Sequence, residues 1–136
     1  MDSVLLDTDI LNEVLKQKNA QVLQHASVYF QQHGQFAISA LSRYEVLRGL
    51  KEKIATTQLS RFATFCRHSI LLPITDTVLD RAADLWVTAR QGGYPRSDAD
   101  LIIAATALQH GRVLVTGNTP HFAWVPRLVI ANWREP

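Results

Sequence analysis

The sequence predicts an α/β fold in three layers (α/β/α), with a mainly parallel sheet between two layers of helices. The order of apolar and amphipathic runs predicts it. Short apolar runs, among them Val4–Leu6 and Val113–Val115, alternate along the chain with longer amphipathic runs. Buried parallel strands are continuous apolar runs, and the helices that connect them cover both faces of the sheet.

Apolar periodicity and turn residues define the expected elements. Strands are expected at 4–6, 36–38, 70–72, 113–115 and 128–131. Helices are expected at 8–18, 20–32, 39–53, 58–68, 76–90 and 97–110, with Ser39 as the cap of the third. In the helix at 76–90, the residues expected to face the core are Leu79, Ala82, Ala83, Leu85 and Trp86. The segment 91–96 contains Gly92, Gly93 and Pro95 and is expected to be a loop.

Length and composition predict one domain spanning residues 1–136, because 47% of the residues are hydrophobic and can form a core. The single cysteine, Cys66, cannot form an internal disulfide, which is typical of a reducing cytoplasm. The longest apolar run, 101–108, is too short to span a membrane, and the N-terminus has no basic segment of a signal sequence. We therefore expect a cytoplasmic protein.

Acidic residues lie where a ligand would bind in such a fold, beyond the carboxyl ends of the strands. Asp7 directly follows the first strand, and Asp9 is two residues further. Helix capping accounts for one of these carboxylates, but it gives a weaker reason for the second. With acids concentrated there, the rest of the surface is basic, which favours a polyanionic partner, although ordinary solvated charge is the alternative.

Glu45 is the candidate acid of the third helix. Leu41 and Gly49, four residues before and after it, share its helical face. A glycine inside a helix costs about 1 kcal/mol, which indicates a packing or access reason for Gly49. The alternative is a surface pair of Glu45 with Arg48.

Asp98 and Asp100 open the helix at 97–110. Asp100 can also serve as the capping-box partner of Ser97, and Asp98 can simply favour the positive end of the helix. Positions two apart on a helix point about 200° apart, so both carboxylates cannot face one ion. Beyond the strand at 113–115, Thr116 and Asn118 add polar groups, although turn chemistry also explains Asn118.

Several carboxylates in one pocket repel one another unless a cation neutralises them. Hard oxygen ligands favour Mg²⁺ or Mn²⁺, which can polarise a phosphoryl oxygen and activate water. The five histidines and one cysteine have no zinc-site spacing and are interpreted as surface or core residues. These residues indicate metal-assisted chemistry on a phosphate.

Four segments occur in order: LLDTDILNEVLK, AISALSRYEVLRG, DADLIIAATALQHG and VLVTGNTPHF. Together they resemble a PIN-domain ribonuclease, specifically the VapC-type toxin of bacterial type II toxin–antitoxin systems. The resemblance implies a homodimeric endoribonuclease that hydrolyses RNA with Mg²⁺ or Mn²⁺ and is inhibited by a cognate antitoxin.

The resemblance also implies site residues. Its catalytic and metal-binding acids correspond to Asp7, Glu45 and Asp100, and the DxxIAATA register favours Asp100 over Asp98. Asn118 stands where the family often has Asp, and Asp9 where it more often has Asn or Ser. Residues considered for contact with the ion through water are Asp9, Asp98, Thr116 and Asn118. Those considered for RNA phosphates are Arg43, Arg48 and Arg96.

Three alternatives to a ribonuclease are also compatible with the sequence. Asp7-Thr8-Asp9 after a strand matches the nucleophile pattern of haloacid-dehalogenase-type phosphatases, although no lysine follows Val115. A receiver-like signalling module has a similar size but needs an acceptor aspartate after a middle strand. A catalytically silent PIN-like module would bind RNA or a partner without cutting.

Overall fold

The structure is a computed structural model that describes residues 2–94 and 96–136, so that Pro95 of the expected loop lies outside the described residues. In the described part, five strands alternate with seven helices. The strands are β1 (Val4–Leu6), β2 (Ala37–Ser39), β3 (Ile70–Leu72), β4 (Val113–Val115) and β5 (Ile130–Ala131). The helices are α1 (Thr8–Lys16), α2 (Ala20–His33), α3 (Ala40–Glu52), α4 (Thr56–Arg67), α5 (Asp76–Gly92), α6 (Asp98–Gln109) and α7 (Thr119–Phe122).

The five strands form one parallel sheet in the order β3-β2-β1-β4-β5. Leu6 of β1 pairs with Ile38 on one side and Val115 on the other. From β1, the chain adds β2 and then β3 on one side of β1. It then returns to the other side of β1 and adds β4 and β5 there. In such sheets the crevice for a ligand lies beyond the strand ends at this reversal, between β1 and β4.

Alternation along each strand divides the core into two layers, because successive side chains point to opposite faces. Val4 and Leu6 pack with residues of α1 to α4, whereas Leu5 and Leu114 pack with residues of α5 to α7. The predicted α/β/α fold is confirmed. No helix of the described residues is long and apolar enough to cross a membrane.

Several features differ from the sequence-based expectation. The helix α5 continues through Gln91 and Gly92, which were expected to belong to the loop. The short helix α7 follows β4 and was not predicted, since a single turn gives no apolar period. Leu79 and Trp86 of α5 are 44% and 45% exposed rather than buried, and Ala83 is exposed as well. Only Val78, Ala82, Leu85 and Ala89 of that helix are buried, so its core-facing stripe is narrower than predicted.

Tyr29 provides a test of how the sheet is anchored. Its side chain is 1% exposed, and its hydroxyl oxygen accepts a hydrogen bond from the backbone N–H of Val4 at 3.1 Å. Tyr29→Phe should lower the free energy of unfolding by about 1–3 kcal/mol, since the N–H loses its buried acceptor. Urea denaturation measures the change. The exposed Tyr44→Phe is the control, and an equal effect of both variants would contradict this account.

Candidate active site

A polar pocket of about 290 Å³ lies at the carboxyl ends of β1 and β4. Three of the five elements that form it follow from the order of the sheet: the ends of the two strands and the start of α1. The other two are α3, which contributes Glu45, and the first two turns of α6. The pocket is lined by Asp7, Thr8, Asp9, Asn12, Glu45, Ala99, Asp100, Ile103 and Asn118. The structure therefore brings together the three acids predicted to be catalytic.

Asp7 is the buried carboxylate of this pocket, with 6% of its surface exposed. Its backbone N–H donates to the carbonyl of Val115 at 2.9 Å, which extends the β1–β4 pairing by one residue. As the cap of α1, its Oδ1 accepts from the N–H of Thr8 at 2.8 Å. Its Oδ2 accepts from the hydroxyl of Thr116, also at 2.8 Å. Both oxygens are therefore fixed in direction.

Burial raises the pKa of Asp7 from 3.8 to about 6. The hydrogen bond from Thr116 opposes this rise, the negative charge of Asp9 adds to it, and the N–H of Thr8 opposes it. The charge of Asp100 raises the pKa further. A cation in the pocket would offset the burial and the repulsion together.

Glu45 reaches the pocket from α3. Its Oε1 accepts a hydrogen bond from the Thr8 hydroxyl at 2.7 Å, and its Oε2 lies 3.9 Å from Nη2 of Arg48. The surface pair with Arg48 and the pocket position thus coexist. The packing reason expected for Gly49 is wrong, because among the described residues nothing apart from the backbone of its own helix lies within 4 Å of where its Cβ would be.

Asp98 and Asp100 lie on different surfaces of α6. Asp100 lines the polar pocket, with its Oδ2 3.3 Å from Nδ1 of His121. Its N–H donates to the Ser97 hydroxyl at 3.2 Å, which is half of the expected capping box. Asp98 instead lines an apolar groove between α5 and α6. Helical geometry separates the two carboxylates in the way the sequence predicts.

Asp9 has both carboxylate oxygens engaged. Oδ1 accepts from the N–H of Ile10 at 2.8 Å, and Oδ2 accepts from the N–H of Gly117 at 2.9 Å. Nη1 of Arg134 lies 3.4 Å from the same Oδ2. A Cβ on Gly117 would collide with Arg134 and Asp9, which is why a glycine fits here. Asp9 therefore ties α1 to the turn after β4 and to the C-terminal segment.

Thr116 and Asn118 occupy that turn. Thr116 is fully buried, and its hydroxyl accepts from the N–H of Asn118 at 3.0 Å while it donates to Asp7. The Asn118 side chain makes no capping bond to α7 and lines the pocket. The amide can offer an oxygen ligand there, but it adds no negative charge.

The three candidate arginines are placed differently. Arg48 lies beside Glu45, and Nε of Arg96 donates to the His121 carbonyl at 3.0 Å, on the Asp100 side of the pocket. Arg43 does not line the pocket. It interacts with Cys66, whose pKa is raised by burial, an effect that Arg43 opposes.

Sequence reasoning missed four residues of this neighbourhood: Thr8, Asn12, His121 and Arg134. Thr8 and Asn12 share a face of α1, four residues apart, so their helical spacing was an available signal. His121 is exposed, as one of the two sequence interpretations expected, but it contacts Asp100. Nothing in the sequence links Arg134 to Asp9, because 125 residues separate them.

The donor set fits a hard divalent cation. The pocket is lined by four carboxylates and by the amides of Asn12 and Asn118, and Mg²⁺ is usually bound by one or two carboxylates together with several waters. Among residues 2–94 and 96–136, no three His, Cys, Asp or Glu side chains already stand at metal-binding distances. The residues thus suit an ion held partly through water.

The model of the family described as PIN domain matches residues 4–126 of this chain. The chain belongs to the PIN domain family. The match covers most of the sequence and confirms the family predicted from the four segments. No curated protein matches significantly. Membership in this family does not support the phosphatase or receiver-like alternatives.

Solved structures with the same fold come from several bacteria. A chain of VapBC2 from Rickettsia felis, bound to a DNA fragment from its promoter, is 21% identical over 96% of this PIN chain and 98% of its own, with a TM-score of 0.85. A chain of DNA-bound VapBC from Salmonella typhimurium is 22% identical over 98% and 99%, with a TM-score of 0.85. A chain of a toxin–antitoxin complex from Klebsiella pneumoniae is 28% identical over 93% and 96%, with a TM-score of 0.75. These likenesses agree with the VapC-type resemblance.

The raised pKa of Asp7 predicts how stability depends on pH without metal. Between about pH 4 and 6 the unfolded chain loses the Asp7 proton while the folded protein keeps it, so this group lowers the free energy of unfolding as pH rises. Asp7→Asn lacks this titration. From pH 4 to pH 7 in EDTA, the variant should gain about 2–3 kcal/mol relative to the wild type. Urea denaturation at each pH measures the difference, and a difference independent of pH would refute the burial argument.

Proposed function

We propose that this PIN chain is a Mg²⁺- or Mn²⁺-dependent endoribonuclease that acts, as a single domain over residues 1–136, as the toxin of a toxin–antitoxin pair. The observation that carries the proposal is the shared pocket of Asp7, Glu45 and Asp100 at the carboxyl ends of β1 and β4. PIN domains are generally nucleases that use divalent metals, which supports the same reaction here. The single, unpaired Cys66 supports action in the cytoplasm.

Different residues would bind the ion, orient its ligands and bind RNA during phosphodiester hydrolysis. Asp7, Glu45 and Asp100 would hold the divalent ion, directly or through water. Such an ion polarises a phosphoryl oxygen and activates the attacking water. Thr116 and Thr8 hold the carboxylate oxygens of Asp7 in direction. Flanking phosphates of RNA can be bound by guanidinium groups on either side of the acids.

Arg48 and Arg96 are the cations suited to those phosphates. Arg48 is beside Glu45 and 61% exposed, and Arg96 is beside His121 on the other side of the pocket. Arg43 has less support because it contacts Cys66 on α4. A basic residue on each side of the acidic pocket would bind the nucleotides that flank the scissile phosphate.

Asn118 favours a second candidate function. An aspartate would add a further charged ligand at this position, whereas the amide binds a cation more weakly. The chain would then be a catalytically silent module that binds RNA or a partner. Cleavage itself separates the two candidates.

Metal dependence gives the direct test. Purified protein should cleave total RNA in Mn²⁺ or Mg²⁺ and should lose cleavage in excess EDTA. Asp7→Asn should lose cleavage in every condition while its circular dichroism spectrum stays that of the wild type. Cleavage that persists in EDTA would exclude the metal mechanism, and intact RNA in all conditions would favour the silent module.

Comparing substitutions of Asp98 and Asp100 tests which of the two acids belongs to the catalytic site. Asp100→Asn should reduce the single-turnover cleavage rate at saturating Mn²⁺ at least about 100-fold, roughly 2.7 kcal/mol of transition-state stabilisation. Asp98→Asn should cost much less, because Asp98 lines the apolar groove. An inactive Asp98→Asn together with an active Asp100→Asn would show that the register is wrong.

A cognate antitoxin would cover the acidic pocket. An arginine of that partner can bind the carboxylates in place of the metal, since a guanidinium matches carboxylates geometrically. The VapBC assemblies among the solved structures support a partner of this kind. The antitoxin should therefore be displaced more readily from Asp7→Asn than from the wild-type protein.

The groove between α5 and α6 is the surface we propose for the homodimer. It measures about 440 Å³, and Leu79, Trp86 and Val87 on its rim are each more than two-fifths exposed. A second copy would bury these apolar side chains, which would otherwise remain a patch in water.

Sedimentation tests this surface. The wild type should sediment as a dimer at micromolar concentration, and Trp86→Glu should shift it to monomer by placing a charge in the buried contact. Val129→Glu, at another apolar residue that is 61% exposed, should stay dimeric. A dimeric Trp86→Glu or a monomeric wild type would contradict the proposed surface.

A further inference from the structure

Thr8 touches two of the three candidate metal-binding carboxylates at once. Its backbone N–H donates to Oδ1 of Asp7 at 2.8 Å, and its hydroxyl contacts Oε1 of Glu45 at 2.7 Å. Asp7 belongs to the end of β1, whereas Glu45 belongs to α3. One residue therefore links two ligands that come from different parts of the fold.

Two buried serines stand behind Thr8. Oγ of Ser42 lies 2.9 Å from Oγ1 of Thr8 and 3.3 Å from Oγ of Ser39. Ser39 also accepts the backbone N–H of Ser42 at 3.0 Å. Both serines are fully buried, so water does not compete for these hydrogen bonds.

The direction of the hydroxyl chain follows from proton counting. An ionised Glu45 only accepts, so the single hydroxyl proton of Thr8 points to it. The contact between Thr8 and Ser42 must then use the proton of Ser42, and the contact between Ser42 and Ser39 must use that of Ser39. Each hydroxyl donates once and accepts once, and the chain ends on Oε1 of Glu45.

Such a chain orients its terminal acceptor. Successive hydrogen bonds in one direction polarise one another, and those that end on a charged group are the stronger ones. The chain starts at Ser39, which ends β2 and caps α3, so it is anchored in the sheet. The rotamer of Glu45 is thereby tied to the sheet rather than to the surface of α3.

We propose that Thr8 is a positioning residue, which uses the Ser39–Ser42 hydroxyls behind it to hold Glu45 at a fixed place relative to Asp7 for the divalent ion. The inference rests on the proposed metal-dependent function. Thr8 itself touches neither the ion nor the RNA in this proposal. It acts through the two carboxylates that it bridges.

Mn²⁺ binding in the absence of RNA tests the proposal. Thr8→Val keeps the N–H to Asp7 but removes the hydroxyl to Glu45, and electron paramagnetic resonance of free Mn²⁺ should show affinity reduced about 10–100-fold. Thr8→Ser should restore binding to within about threefold of the wild type. Ser42→Ala should fall between them, because Thr8 keeps its own bond to Glu45.

Thr106→Val is the matched control. Thr106 is a fully buried threonine whose hydroxyl donates to the Ile102 carbonyl of its own helix, away from Glu45. Its removal should leave Mn²⁺ affinity unchanged. Thermal melts of all variants identify any that fail to fold. If Thr8→Val fails to fold, the Mn²⁺ affinities of the milder variants Thr8→Ser and Ser42→Ala still test the proposal.

A double-mutant cycle separates positioning from general stability. If Thr8 acts through Glu45, Thr8→Val should change Mn²⁺ affinity less than about twofold in a Glu45→Ala background. An equal loss in both backgrounds, wild-type affinity of Thr8→Val, or failure of Thr8→Ser to restore binding would overturn this inference alone. A wild-type protein that neither binds Mn²⁺ nor cleaves RNA would overturn the proposed function and this inference with it.

Discussion

Burial of the Asp7 carboxylate at the end of the central strand constrains the surrounding structure. A buried charge is costly unless it is hydrogen-bonded or paired, and Asp7 receives one hydrogen bond from Thr8 and one from Thr116. Thr116 can donate only because β4 lies parallel and next to β1 in matching register. The order of the strands, the start of α1 and the turn after β4 therefore all serve this one carboxylate.

The other carboxylates around Asp7 differ in their contacts. Glu45 and Asp100 line the pocket with carboxylate oxygens, the type of donor that a site for a hard divalent cation needs. Asp9 accepts hydrogen bonds from the backbone N–H groups of Ile10 and Gly117 and pairs with Arg134, so that it also links α1 to the turn after β4 and to the C-terminal segment. Both aspartates of the first segment accept backbone N–H groups at the start of α1, and Asp7 is the more deeply buried of the two. Helix capping and a position in the pocket, which compete as explanations from sequence, thus coexist in Asp7.

The helix α6 contributes to both the polar pocket and the apolar groove. Its first turn supplies Asp100 to the polar pocket, and its flank with α5 forms the apolar groove that holds Asp98. The groove has the larger volume, yet the carboxylates that suit phosphate chemistry converge on the smaller pocket. The proposed phosphate chemistry and the proposed self-association therefore involve separate surfaces of this domain, and α6 contributes to both.

The amino-acid sequence was enough to predict the alternation of strands and helices, the strand ends where acids collect, and the separation of Asp98 from Asp100. These features depend on local periodicity, which a single chain displays directly. Folding brings together groups that are distant in the sequence: Thr8 with Glu45, Asp100 with His121, and Asp9 with Arg134. Among the described residues nothing apart from the backbone of its own helix lies within 4 Å of where a Cβ on Gly49 would be, and Leu79 and Trp86 are exposed. Hydrogen bonds and burial of this kind join residues that are up to 125 positions apart, and no local pattern encodes such distances.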